Sequence, residues 1–321
     1  MTKQPDENAR QLLDLGKRSK PRVFEDGTPE QARLDYNAGF LSVQGAKETV
    51  TSSEDRQIDG PNGRINLRLY RGIDTPSRDA AALLYLHGGG WMLGNLDSHD
   101  EICRWFANIA RCVVICPDYR LAPEHRFPVG LADCAATLTY MARNAAEHGI
   151  DPLRIAVAGD SAGGNLAAVL ALMARSGEVP TLVAQLLIYP NTDAAQTADS
   201  YRRHGEGFGL TLSTMRWFRD HYVRSSADIL DWRVSPLRAE SLADVAPAFV
   251  LLAEYDILAD EGLAYAERLR EDGVPVVLRQ WPGQIHGFVS MGKYIPVARQ
   301  AVEEAVAAWR GFEEVSDQTM P

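Results

Sequence analysis

An α/β fold, with a mostly parallel sheet carrying helices on both faces, is what three observations in the sequence predict. From Arg64 onward, strand-like and helix-like segments alternate. The strand-like segments are mostly short, continuous apolar or β-branched runs, the type that is buried on both faces. The chain has 321 residues, 45% of them hydrophobic, which is enough for a sizeable core.

Taken in order, "INLRLY" alternates as a half-buried strand does. "AALLYL", "CVVIC", "RIAVAG", "VAQLLIY", "AFVLLA" and "PVVLRQW" read as buried strands. Helices are expected over 101–110, 131–148, 162–175, 261–271 and 296–312. Two regions break the rhythm. Residues 1–45 hold helical pieces, including "PEQARLDYNAGFLSV" with Ala32, Tyr36 and Phe40 at i, i+4 spacing. Residues 191–247 are too long for an ordinary connection and contain the helix-like "LSTMRWFRDHYV". The expected division is therefore an N-terminal cap segment (1–45), a catalytic core (46–190 and 248–321) and a cap insertion (191–247). The cap is expected over the ends of the strands, where open α/β folds bind ligands.

A net charge of −10 and the absence of a basic cluster argue against nucleic acid. The first twenty residues lack a signal peptide's apolar core, and no apolar run approaches the roughly 18 to 20 residues that span a bilayer. A cytoplasmic address without membrane insertion is expected. Cys103, Cys112, Cys116 and Cys134 have neither zinc-ribbon nor redox-pair spacing and read as reduced core thiols. No metal or cofactor is expected.

The chemistry is carried by "VAGDSAGGNLAA". Gly159, Ser161 and Gly163 form G-x-S-x-G between a predicted strand and a predicted helix, the context of a nucleophile turn. Small flanking residues let the turn tighten and project the Ser161 hydroxyl. That hydroxyl needs a base. Of seven histidines, His99, His125, His148, His204 and His221 fall at helix ends, in a loop or in the cap, and read as solvated or capping residues. His286, in "WPGQIHGF" after the last strand, lies downstream of the serine, as this turn type requires. The acid belongs between them. Asp256 immediately follows "AFVLLAEY", whereas Asp260 stands at a helix N-cap position, so Asp256 is the expected partner of His286.

"HGGGW" after the third strand offers backbone amides unobstructed by side chains. Gly88 and Gly89, with the N–H of Ala162, are the expected oxyanion donors. His87 is expected to fix this loop by a hydrogen bond. Trp91 is either a pocket wall or core packing, and Asp160 is expected to hydrogen-bond neighbouring loops at the edge of the pocket. Phe208, Met215, Trp217 and Phe218 either line an acyl channel or pack the cap.

With "HGGGW", "DYRLAPEHRFP", "GDSAGGNLA", "EYDILADEG" and "IHGF" in this order, the chain resembles the hormone-sensitive-lipase-like family of α/β-hydrolases from about Tyr70 to the C-terminus. Ile257 stands where that family usually has proline. The resemblance implies an eight-stranded sheet, a helical cap, and cofactor-free hydrolysis of short- to medium-chain acyl esters. It also implies pairing of two subunits through the edge strand Val276 to Trp281. An amidase or deacetylase would use the same triad. A small-molecule receptor on this fold would lack the base histidine, and His286 is present.

Overall fold

The computed structural model describes residues 4–19 and 23–319; residues 1–3 and 20–22 of the expected N-terminal segment, and 320–321, lie outside them. Eight strands form one sheet: β1 (Ser52–Gly60), β2 (Gly63–Arg71), β3 (Ala80–Leu86), β4 (Val113–Pro117), β5 (Ile150–Asp160), β6 (Gln185–Ile188), β7 (Ala248–Tyr255) and β8 (Val276–Ile285). Their order is β1-β2-β4-β3-β5-β6-β7-β8, with β1–β2 and β2–β4 antiparallel and the remaining pairs parallel. The seven strands expected from sequence are all present. The eighth, β1, is polar throughout ("SSEDRQIDG") and buries only Ile58, because it is a sheet edge with little apolar surface to cover.

The helices are α1 (Glu7–Ser19), α2 (Pro29–Val43), α3 (Asp100–Ala110), α4 (Val129–Arg143), α5 (Ala162–Arg175), α6 (Asp199–His204), α7 (Leu212–Tyr222), α8 (Ala259–Glu271) and α9 (Val297–Thr319). α4 stops five residues short of the expected end at His148. There the Asn144 side chain donates to the Tyr140 carbonyl at 2.9 Å, and Gly149 turns the chain at φ +62°. The two sheet faces bury two separate clusters. Leu84, Leu86, Val157, Leu187 and Val250 pack with Leu138 of α4, Leu166 of α5 and Leu269 of α8. Leu83, Tyr85, Ala158, Ile188 and Leu251 pack with Phe106 of α3 and Trp309 of α9. Alternate residues of each strand thus serve opposite faces, which is why these strands read as continuous apolar runs. All four cysteines are buried free thiols.

The register brings the carboxyl ends of five strands level. Leu86 pairs with Gly159, Asp160 with Ile188, Ile188 with Leu251, and Tyr255 with Ile285. The chain switches direction about β3, so the crevice beyond β3 and β5 is where this topology places a site. The segments outside the sheet rhythm meet the loops at these ends. In α2, Arg33 donates to the carbonyls of Met92 (2.9 Å) and Ala122 (2.8 Å). Before α1, the Asp6 N–H donates to Gly283 (2.9 Å). From the 191–247 stretch, the Tyr222 carbonyl accepts from Phe127 N–H (2.9 Å), and Asn165 of α5 donates to the carbonyls of Asn191 and Val234.

Candidate active site

Ser161 sits between β5 and α5 with φ 56° and ψ −118°, a conformation a side chain rarely adopts and one that costs about 1–3 kcal/mol. Its surroundings enforce it. The Ser161 N–H donates to Ile188 (2.9 Å), and its carbonyl accepts from Asn165 (3.0 Å) and Asn191 (3.2 Å). A Cβ at Gly159 would collide with the Gly163 carbonyl, and one at Gly163 with the Leu86 carbonyl. The glycines of G-x-S-x-G are therefore explained by close backbone approach.

β8 delivers His286 and β7 delivers Asp256 to the same point. His286 Nε2 lies 3.0 Å from Ser161 Oγ, and Nδ1 lies 2.7 Å from Asp256 Oδ2. Asp256 is 1% exposed, and its other oxygen accepts the Leu258 N–H at 2.9 Å. The carboxylate is thus fixed from two sides, and Ile257 in place of proline leaves this turn formed. The ring of Tyr189 lies 4.7 Å from that of His286. Asp260 does not cap α8, as the sequence suggested: the cap position is Leu258. Asp260 instead accepts from Ser200 N–H (2.9 Å) and Arg203 (2.6 Å), tying α6 to α8.

The glycine loop departs from expectation at one position. Gly88 was expected to present its N–H to an oxyanion, but that N–H donates to Asp160 Oδ1 at 3.0 Å, with His99 Nε2 at 3.3 Å. A side chain at 88 would strike Asp160, so this glycine serves the carboxylate beneath the loop. No described residue accepts from the N–H groups of Gly89, Gly90 or Ala162. Gly90 was missed because contiguous glycines look alike in sequence; which amide is engaged depends on what lies beneath. His87 does fix the loop, with Nδ1 2.9 Å from the Gly88 carbonyl and its ring stacked on Tyr119 at 4.3 Å. Burial pushes its pKa down to about 3, so this imidazole is neutral.

Asp160 is no pocket wall. It is buried and accepts from Tyr85 Oη (2.8 Å) and Gly88 N–H. Burial pushes its pKa up, yet His99 and the Tyr85 hydroxyl outweigh that and hold it below the usual carboxylate range. His99 was expected to be solvated or capping; it is 1% exposed and faces Asp160. His148 is likewise buried, with Nε2 2.9 Å from Tyr140 Oη. Trp91 is 3% exposed and stacks flat on Tyr222 of α7 (4.3 Å, 4°), which favours packing over a pocket wall. Phe218, one turn earlier on α7, lies against Gly90, where a Cβ would enter its ring. Met215 and Phe218 are buried, and Trp217 rests on Phe218 and His221. Phe208 is elsewhere, stacked on Tyr255 (5.3 Å) beside His204.

One further buried acid holds the site's periphery. Glu261 accepts from Asn191 Nδ2 (2.8 Å), Thr192 N–H (2.7 Å) and Tyr201 Oη (2.9 Å), and burial pushes its pKa up to about 8. Among the described residues, no cluster of three or more His, Cys, Asp or Glu is placed to hold a metal, and no helix is long and apolar enough to cross a membrane.

An alcohol, an imidazole and a carboxylate in hydrogen-bonded series beside unengaged amides can carry out acyl transfer. The α/β-hydrolase-fold family model matches residues 83–290. An ethyl acetate hydrolase of Pseudomonas putida is 39% identical over 303 residues, covering 93% of this chain and 95% of that one. The carboxylic ester hydrolase LipN of Mycobacterium tuberculosis is 42% identical over 264 residues, 80% of this chain and 69% of that one. Among solved structures, an ester hydrolase from the metagenome of Lake Arreo, in complex with a bipyridine phosphonate derivative, superposes with a TM-score of 0.92. It has 37% identity and covers 96% of this chain and 98% of that one. The chain belongs to the α/β-hydrolase-fold family, in its hormone-sensitive-lipase-like branch.

Proposed function

We propose that the chain is a serine carboxylesterase acting on short- to medium-chain acyl esters through an acyl-enzyme. The observation that carries this reading is the unbroken Asp256–His286–Ser161 series, at 2.7 and 3.0 Å. Ser161 Oγ attacks the ester carbonyl while His286 Nε2 takes its proton, and Asp256 holds the imidazole and balances its charge. The tetrahedral oxyanion is received by the N–H groups of Gly89, Gly90 and Ala162. His286 then returns the proton to the leaving alcohol, and a water repeats the sequence to release the acid. The ester-hydrolase names of the relatives support the substrate class.

Residues 1–45 and 191–247 act as one cap on the core of 46–190 and 248–321. The contacts of Arg33, Asp6 and Tyr222 with the loops at the strand ends support this. Met215, Trp217 and Phe218, on the helix seated over Gly90, limit the acyl chain to about four to eight carbons, the length a closed apolar pocket of ordinary volume holds. The working location is the cytoplasm. β8 is the outer strand of the sheet, and its segment from Val276 to Trp281 pairs two subunits.

Ser161→Ala tests the reading. Hydrolysis of p-nitrophenyl esters is expected to fall about 10⁴-fold or more with the fold intact by circular dichroism. A folded variant with near-native turnover overturns the assignment. Aryl amides run beside the esters separate an amidase from an esterase.

A further inference from the structure

Asp160 precedes the nucleophile by one residue and is buried, yet the reaction sequence above gives it no task. Its neighbours define one. Ser98 Oγ lies 2.9 Å from the Asn95 carbonyl and 2.8 Å from His99 Nδ1. The contact with Ser98 fixes the orientation of the His99 ring. Nε2, at the other end of the ring, lies 3.3 and 3.4 Å from the two Asp160 oxygens. A lone pair there would face two carboxylate oxygens, whereas an N–H is attracted to both. The Gly88 N–H, the only other group at Nε2 among the described residues, lies closer to Asp160 Oδ1, at 3.0 Å. The His99 ring is also lined by Phe40 of α2 (5.8 Å), His87 (5.5 Å) and Tyr85 (6.3 Å), which exclude water from the pair.

We propose that His99 is a positioning residue of the oxyanion hole: its ring, held by Ser98 at one end, presents Nε2 to both oxygens of Asp160, and Asp160 fixes the Gly88 amide, which sets the direction of the Gly89 and Gly90 N–H groups. The inference rests on the oxyanion role given to those amides above. Peptide planes are rigid, so anchoring the Gly88 amide limits how the next two can turn. That matters because Gly89 and Gly90 have φ of +116° and +60° and no side chains to hold them. Preorganised donors act on the transition state and much less on the bound ester.

The test is His99→Gln, whose flexible amide cannot span from Ser98 to Asp160 as the rigid ring does. Expected is a 10- to 100-fold loss of kcat with KM within about threefold, since loss of a whole oxyanion donor costs about 10²–10³. Affinity for an alkyl trifluoromethyl ketone, whose hemiketal places an oxyanion in the same position, falls by the same factor. A residue that only stabilises the fold would lower the unfolding temperature without making these two losses match. Native kcat and ketone affinity in a folded variant overturn the proposal. An independent readout uses the wild type with ¹⁵N-labelled histidine: the ring near the Phe40 and Tyr85 protons carries a proton on Nε2, toward Asp160. An unprotonated Nε2 there overturns the proposal even if the variant fails to fold. Ser161→Ala in the same series separates the two readings. If it retains turnover, the esterase reading fails and this one with it; if it is inactive while His99→Gln is native, only the positioning role fails.

Discussion

Two aspartate–histidine pairs flank Ser161, and they are built for different work. On the β7–β8 side, Asp256 and His286 meet at 2.7 Å, and the far nitrogen of the imidazole reaches the Ser161 hydroxyl. On the β3 side, Asp160 and His99 are 3.3 Å apart, and the far nitrogen ends on Ser98, away from any reacting atom. The first histidine is 12% exposed at its side chain and the second 0%. A base that must exchange protons needs an open face; a fixed positioning group needs none. Residue type does not distinguish the pairs. The destination of the second ring nitrogen does.

The largest effect that can break this comparison is expected on the first pair. Asp256→Asn leaves the imidazole in place but favours the wrong tautomer, so kcat should fall by up to about 10⁴-fold with KM little changed. Stopped-flow measurement of the acylation burst checks this. A loss no greater than that of His99→Gln would mean that the two pairs do the same work.

Glu261 sharpens the comparison from another side, as a buried acid with no histidine. Burial, opposed by the donors from Thr192, Tyr201 and Asp193, raises its pKa from the ordinary 4.5 to about 8. The folded state therefore favours its protonated form. The stability this contributes is fully present below about pH 4.5 and is lost as pH rises through about 8. Relative to Glu261→Gln, the wild type should lose on the order of 3 to 5 kcal/mol across that window, read from urea midpoints at pH 5 and 8.5. A pH-independent difference would show that its four donors hold it ionised at every pH.

The smallest effect belongs to Asp260, four residues from the triad acid. Its ion pair with Arg203 is 42% and 32% exposed, and asparagine can still accept from Ser200. Asp260→Asn should cost under about 1 kcal/mol and leave kcat unchanged. A catalytic loss there larger than that of Asp256→Asn would exchange the roles of the two aspartates.

How much of this was legible followed from how local each constraint is. The convergence of Ser161, His286 and Asp256 was readable because Gly159 and Gly163 are required within one tight turn and a parallel sheet returns each strand end to the same edge. Six strands announced themselves by apolar or β-branched runs and β2 by its alternation; β1 has a nearly bare edge and so left no apolar trace. Gly88 was misassigned because the group that claims its amide, Asp160, is 72 residues away. His99 was read as solvated or capping because "LDSHDE" is polar and precedes a helix; it stands at the N-cap position of α3 without a side-chain cap bond, and the rings that bury it belong to α2 and β3. Trp91 was undecided for the same reason: its partner Tyr222 lies within the 191–247 stretch, at the end of α7.

The level strand ends also bear on the order in which the molecule comes into being. Ser161 and His286 are 125 residues apart, and β8, which carries the histidine, is the last strand to leave the ribosome. Until it docks beside β7, the serine is an ordinary alcohol without a base. With the roles proposed for Ser161 and His286, the nascent chain therefore displays an inert hydroxyl and acquires a nucleophile only when the sheet is complete.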